Sequence, residues 1–414
     1  MGTNGELPAA LLEKFLRYVQ VWTTSDSALA DEGNQPSTQN QFELAKILSE
    51  ELSALSLSDV QITDKCYVYG RLEASQDLKN LPSFCLLAHM DTAQDVSGKN
   101  VKPQIYENYS GQKITLASGD ILDPQSDPDL ALAGKNKETI ISSDGNTLLG
   151  ADDKAGIAEI MSALEYIIKN KVPHTAVEIC FSPDEETGHG MDNVPLNLIK
   201  SKYAYTVDGG HIGELEYECF NACKSDILFT GVSTHTGTAR GKMVNAISMA
   251  SNFVTNLPRQ EAPETTCGYE GFYAPISMEA AVEEARVTLL LRDFDLQKME
   301  ERKRVIDSLA QASALSFGGK VKVTHTKQYL NMKEGFNNRQ DVIDKLKEAY
   351  KNAGVEAKSQ PIRGGTDGSR LTEMGIPCPN IFTGGHNYHS RKEWASLEQM
   401  EKAAQVLINL IKVN

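Results

Sequence analysis

Leu148-Leu149-Gly150-Ala151-Asp152-Asp153-Lys154-Ala155-Gly156 sets two adjacent carboxylates just after a glycine and just before an apolar periodicity, Ile157, Ile160, Met161, Leu164, Ile167 and Ile168. Apolar residues recurring at three- and four-residue intervals predict a helix, so both acids stand at its start. There they can simply cap the helix and complement its dipole. They can equally concentrate negative charge at the sheet side of the helix start, where it has chemical use. The rest of the chain decides between the two.

Upstream, Ala10–Val21 and Asn40–Leu55 read as helices, with the Ser/Asp/Gly/Gln/Pro-rich run Thr23–Thr38 as a loop between them. Short alternating segments follow at Val60–Ile62 and Tyr67–Leu72. The run Phe84-Cys85-Leu86-Leu87-Ala88 is apolar throughout, as suits a strand buried on both faces of a parallel sheet. Asp95–Gly145 looks irregular, with strand-like pieces such as Lys113–Leu116, and loops of that length tend to be functional. Downstream of the helix, Ala176–Phe181 and, one short helix later, Tyr203–Val207 read as further buried strands. Strand, helix, strand in this order predicts a mostly parallel sheet flanked by helices.

Between about Glu214 and Gln328 the pattern changes to strand Asp226–Val232, helix Met243–Leu257, strands Gly271–Met278 and Ala285–Phe294, helix Leu296–Ser316 and strand Lys320–Thr326. That βαββαβ order is a self-contained two-layer unit. The α/β rhythm then returns with a helix Asp341–Ala353, the turn Arg363-Gly364-Gly365-Thr366-Asp367-Gly368, an apolar segment Asn380–Phe382, a loop at His389 and a closing helix Ser396–Ile411. The fold expected is therefore α/β: a catalytic domain in two parts, residues 1–215 and 329–414, with an inserted α+β lid domain at 216–328.

Composition narrows the function classes. A chain of 414 residues is long for one core, and 40% hydrophobic with 23% charged residues is ordinary for a globular protein. The formal charge of -15 argues against nucleic acid or an anionic membrane as partner. Seven cysteines, with no Cys-x-x-Cys pair and several inside apolar runs, read as reduced and mostly buried thiols, so a cytoplasmic location is expected. The polar start Met1–Glu6 has neither signal-peptide nor transit-peptide character, and Glu6 breaks the myristoylation pattern. No apolar run is long enough to span a bilayer.

Three of the expected buried strands run into potential ligands: His89-Met90-Asp91, Pro183-Asp184-Glu185-Glu186 and Asp208-Gly209-Gly210. In an open parallel sheet functional groups gather beyond the carboxyl ends of the strands, so histidine and carboxylates from three strands would meet at one rim. His89 and Asp91, two residues apart on an extended segment, point the same way, and Asp91 can fix the orientation of His89 or of a nearby base. Glu185 and Glu186 diverge, so one can ligate a cation while the other serves as general base. Asp152 is the candidate bridge, because one carboxylate shared by two divalent cations holds them ~3.5–4 Å apart around a single water.

At these motifs the chain resembles the M20 metallopeptidases, and within them the peptidase T (tripeptide aminopeptidase) branch. The resemblance rests on His89–Ala93, Gly150–Gly156, Pro183–Glu186, Tyr205–Gly210, Gly231–His235, Arg363–Gly368 and Asn387-Tyr388-His389, and spans nearly the whole chain. It implies two zinc ions, one on His89 and Asp208, the other on Glu186 and His389, bridged by Asp152. It implies Glu185 as general base, Asp91 as the residue supporting it, and a cis peptide between Asp152 and Asp153. Two histidines with three carboxylates suit Zn²⁺, and also Mn²⁺ or Co²⁺. His386 competes for the last ligand position, and the family pattern selects His389. His174, His189, His211 and His325 read as structural or surface residues.

From the inserted domain the resemblance brings His235 as oxyanion donor, together with Asn245 and Arg292 as substrate contacts. Arg292 lies on an otherwise apolar strand and could grip a peptide carboxylate, or instead pair with Asp293 or Asp295. Arg363, beside the glycine turn, is a further candidate for binding the substrate backbone or carboxylate. The function implied is release of the N-terminal residue from short peptides, tripeptides foremost. The alternative is another amide hydrolysis of the same family: dipeptidase, carboxypeptidase or N-acyl amino acid deacylase. The family also implies that copies can pair through the inserted domain.

Overall fold

A computed structural model describes residues 5–413 of the chain. They divide into two compact units, residues 5–217 with 335–360 and 366–413, and Glu218–Glu334 with Pro361–Gly365.

In the first unit, among the described residues, eight strands form one sheet in the order Ser58–Ile62, Val68–Leu72, Val177–Ser182, Phe84–His89, Ala204–Gly209, Asn380–Phe382, Glu214–Glu216 and Lys358–Ser359. Its middle is parallel: Phe84–His89 runs alongside both Val177–Ser182 and Ala204–Gly209, and Asn380–Phe382 runs alongside Ala204–Gly209. Every residue of Phe84–His89 and Val177–Ser182 is buried, which is why Phe84–Ala88 reads as an unbroken apolar run; the one acid in the second strand, Glu178, is matched by Arg71 and by the Ser201 N–H. Register aligns the strand ends, with His89 opposite Ser182 and Phe382 opposite Gly209, so the residues just beyond each strand open on the same rim.

The helix Ala151–Lys169 packs on this sheet and is itself covered by the helices Glu6–Val19 and Leu397–Ile411. It is therefore buried nearly all round, with Ile157, Ile160, Met161, Leu164 and Ile167 fully enclosed. Gly156 lets it come this close, since a Cβ there would stand 1.9 Å from the Val207 carbonyl. Gly150, the residue before the helix, has φ 82°, a conformation that glycine adopts freely. Asp152 (φ -84°, ψ 105°) and Asp153 (φ -119°, ψ 33°) are not helical, and the peptide joining them is cis.

This unit departs from the sequence expectations in three places. The first helix begins at Glu6, because Pro8 sits in the first turn, where its missing N–H costs nothing. Asp95–Gly145 is more ordered than expected: it contains the helix Pro128–Asn136, capped by Asp127, and the strands Gln104–Tyr106 and Ile140–Ser142 of a small sheet completed by Gly385–His386 and Trp394–Ser396. Between Ser182 and Ala204 the chain makes turns and a 3-10 segment in place of the expected helix, punctuated by Pro183, Gly188, Gly190 and Pro195.

The second unit is an antiparallel sheet in the order Phe272–Ala280, Glu284–Asp293, Asn221–Thr230, Lys320–Tyr329, with the helices Ala246–Thr255 and Leu296–Phe317. Ile227, Phe229, Val287, Leu289 and Leu291 of the strands meet Met249, Phe253 and Ile306 of the helices in one apolar core. The strand Asn221–Thr230 starts five residues before the expected Asp226. Its pairing with Glu284–Asp293 is continuous from Asn221 opposite Asp293 to Thr230 opposite Glu284, and carries the polar residues Lys224 and Asp226 along.

Candidate metal centre

At the aligned strand ends the structure gathers two groups of ligand atoms that share one residue, His89 with Asp152 and Asp208, and Asp152 with Glu186 and His389. Asp152 Oδ1 lies 2.8 Å from His89 Nε2, and its other oxygen, Oδ2, lies 3.3 Å from His389 Nε2. His89 Nε2 is 3.6 Å from Asp208 Oδ1, and His389 Nε2 is 2.9 Å from Glu186 Oε2. The two oxygens of a single carboxylate therefore face different partner sets.

The surroundings hold these side chains in place. Asp91 accepts the backbone N–H groups of Glu185 and Glu186 on its two oxygens, fixing the turn that carries both glutamates, and its carbonyl oxygen is 3.1 Å from His89 Nδ1. Asp153 accepts the N–H of His89 on one oxygen and that of Gly156 on the other, tying strand to helix. Asp184 is clamped by Ser37 and Gln41. His386 stands apart, stacked on Trp394 with its Nε2 3.0 Å from Gln399 Oε1, so of the two competing histidines it is His389 that faces Asp152 and Glu186.

Burial of so many acids is electrostatically costly. Burial first, then the charge of Asp208, pushes the Glu185 carboxyl well above its usual range. Burial and the Asp152 charge raise Glu186 to about 7, and burial raises Asp208 to about 6. Burial works the same way on Asp152, but hydrogen bonds from His389 and His89 outweigh it and hold that carboxyl below the usual range. His389, hydrogen-bonded to Asp152 and Glu186, is raised to about 11. Glu186 Oε1 is buried and has no hydrogen-bond partner among the described residues. An orphaned carboxylate oxygen beside crowded acids and two imidazoles fits a centre for divalent cations, which compete with protons for the same lone pairs.

One positioning residue has no counterpart in the sequence reading. Glu393, 1% exposed, accepts four backbone N–H groups, those of Leu149 and Gly150 on one oxygen and those of Ala151 and Asp152 on the other, at 2.7–3.2 Å. It thus fastens the turn that presents Asp152. Its only sequence signal is an acid next to an apolar Trp-Ala pair a few residues past His389.

None of the four expected substrate residues belongs to either ligand group, and all lie in the second unit. His235 is exposed, and its Nδ1 accepts the N–H of Gly237, so the neutral ring keeps Nε2 as a donor. Asn245 caps the helix Ala246–Thr255 by accepting the Ile247 N–H. Arg292 is buried, hydrogen-bonded to the Leu291 carbonyl and to Gln328, with its guanidinium 5.5 Å from the Tyr329 ring centre. Neither alternative ion pair for it is seen: Asp293 pairs with Arg302, and Asp295 caps the following helix. Arg363 donates to the carbonyls of Gly268 and Glu270 and to the Thr266 hydroxyl, with its guanidinium 5.1 Å from the Phe220 ring centre and 5.6 Å from that of Phe272.

The profile of the family "Peptidase family M20/M25/M40" matches residues 142–413. The chain belongs to this family. A peptidase T of Clostridium perfringens is 46% identical to it over 403 residues, covering 97% of this chain and 98% of the relative. Two crystal structures share the M20 fold over 98% of both chains: an aminopeptidase PepT from Bacillus cereus (TM-score 0.76, 23% identity) and a tripeptidase from Staphylococcus aureus (TM-score 0.77, 22% identity). No helix among the described residues of this M20 chain is long and apolar enough to cross a membrane.

Proposed function

We infer that this chain is an M20 aminopeptidase that releases the N-terminal residue of tripeptides at a two-cation centre. The observation that carries the reading is Asp152, whose two oxygens face His89 on one side and His389 on the other. Near-full-length identity to a peptidase T, and the tripeptidase named among the similar structures, support the substrate class.

His89 and Asp208 would hold one cation and Glu186 and His389 the other, with Asp152 between them, and zinc suits this mixture of imidazole and carboxylate. Cations held there polarise a peptide carbonyl and make water a competent nucleophile near neutral pH. Glu185 takes the proton of the attacking water and returns it to the nitrogen of the scissile bond, so that a C–O bond forms as the C–N bond breaks. Its buried position keeps that proton on the carboxyl until the amine leaves. Asp91, through the Glu185 and Glu186 amides, holds base and ligand in register. To the second unit we assign substrate contacts: His235 to the developing oxyanion, and Asn245, Arg292 and Arg363 to the peptide.

The test is a series of di-, tri- and tetrapeptides, each with a free and an acetylated N-terminus, together with zinc content by elemental analysis. Cleavage confined to free-amine tripeptides, with at least two zinc ions per chain, is expected. Equal turnover of acetylated peptides would replace the reading with a deacylase.

A further inference from the structure

A third group of ligand atoms lies away from this centre, on Asp129, His211 and His386 of the first unit. His211 Nδ1 stands 3.2 Å from His386 Nδ1 and 3.5 Å from Asp129 Oδ2. His386 is buried, whereas His211 and Asp129 open to solvent.

The hydrogen bonds around His386 settle which of its nitrogens carries the proton. The Glu138 carboxylate, which can only accept, takes the Gln399 side-chain amide N–H and the Ser396 hydroxyl. Gln399 must then turn its oxygen toward His386, so the ring donates from Nε2 and Nδ1 is left as a bare lone pair. An outer partner fixing the tautomer so that the other nitrogen is free is the arrangement that orients metal-binding histidines. The bare nitrogen points at His211 Nδ1, which also faces Asp129.

Protons alone do not complete this arrangement. His211 Nδ1 can carry one proton, and two acceptors, His386 Nδ1 and Asp129 Oδ2, compete for it. One cation serves all three. With Zn–N bonds of ~2.0–2.1 Å at tetrahedral angles, neighbouring ligand atoms stand ~3.3 Å apart, and the two observed separations of 3.2 and 3.5 Å bracket that value. Of the other acids nearby, Asp127 is already engaged by the Asn387 amide and the Trp394 indole N–H, and Glu214 by the backbone N–H of His211.

We propose that Asp129, His211 and His386 form a third cation site, selective for borderline divalent ions such as Zn²⁺, with water completing the coordination on the open side. The site has a structural consequence for the centre described above. His386 precedes His389 by three residues on one loop, and His211 follows Asp208 by three on another, so a cation here fastens together the loops that carry one candidate ligand of each group. Hydrolysis is not required for it, and the site stands whether or not the substrate reading does.

Zinc bound at saturation is counted by elemental analysis after gel filtration, for the full chain, for His211→Ala, for Asp129→Asn and for His189→Ala as a surface-histidine control. His211→Ala is expected to bind one equivalent fewer per chain, Asp129→Asn to hold that equivalent more weakly, and His189→Ala to match the parent. The difference between variants, and not the absolute count, carries the result, so an error in the two-cation reading leaves it intact. Equal counts for His211→Ala and the parent, or the same loss in His189→Ala, would overturn it. So would a zinc-soaked crystal with anomalous density at Asp152 and none beside His386.

Discussion

The parallel strands of the first unit deliver His89, Asp208 and the Glu185–Glu186 turn to one rim, where their charges crowd and one Glu186 oxygen has no hydrogen-bond partner among the described residues. In the inserted unit the buried Arg302 is already matched by acids, donating to Asp293 at 2.8 Å and to Glu261 at 2.7 Å, and the buried Arg292 is held by neutral acceptors, beside a core of aliphatic and aromatic side chains. One sheet is finished by packing and pairing, the other by what it binds. Substitutions at the first rim should therefore be read out in cation content and turnover, and substitutions in the inserted core in stability alone.

The largest effect is expected from Asp152→Ala. It removes the residue common to both ligand groups, and elemental analysis should find zinc lost and tripeptide hydrolysis at background. Retention of the parent's full zinc content by this variant would end the shared-ligand reading. Glu185→Gln should keep its zinc and lose ~10²–10⁴-fold in kcat, as expected for removal of a general base. His235→Ala should cost ~10²–10³ in kcat, the usual loss for an oxyanion donor, with zinc content again unchanged. Glu393→Gln removes no candidate ligand atom, yet weaker anchoring of the Leu149–Asp152 amides should lower cation affinity ~10–100-fold, measured by competition with a chelator. The smallest change is Ile306→Val in the inserted core. It should cost ~0.5–1.5 kcal/mol in urea unfolding and leave zinc content untouched; altered zinc content there would blur the contrast between the two sheets.

How much of the fold and the site is legible in the sequence depends on the range of the interactions. Strands such as Phe84–His89 announce themselves, because burial on both faces imposes an unbroken apolar run, and the acids beyond their ends are then placed by the geometry of a parallel sheet. The helix Pro128–Asn136 is obscured by Asp127-Pro128-Asp129, a sequence as suited to a turn as to the cap and first residues of a helix. Glu393 is invisible locally. Its role exists only because the amides of Leu149 to Asp152, far away in the chain, fold onto it. His211 looks like an ordinary surface histidine until the small sheet brings His386 beside it.

The position of Glu393 and His389 in the chain also bears on synthesis. On the proposed ligand set, a nascent polypeptide that has emerged from the ribosome as far as the glycine turn at 363–368 already contains His89, Asp152, Glu186 and Asp208, but neither the last ligand nor the anchor of the Asp152 turn. Proteolytic competence thus waits until His389 and Glu393 have been added, and a copy that stops short of them is inert.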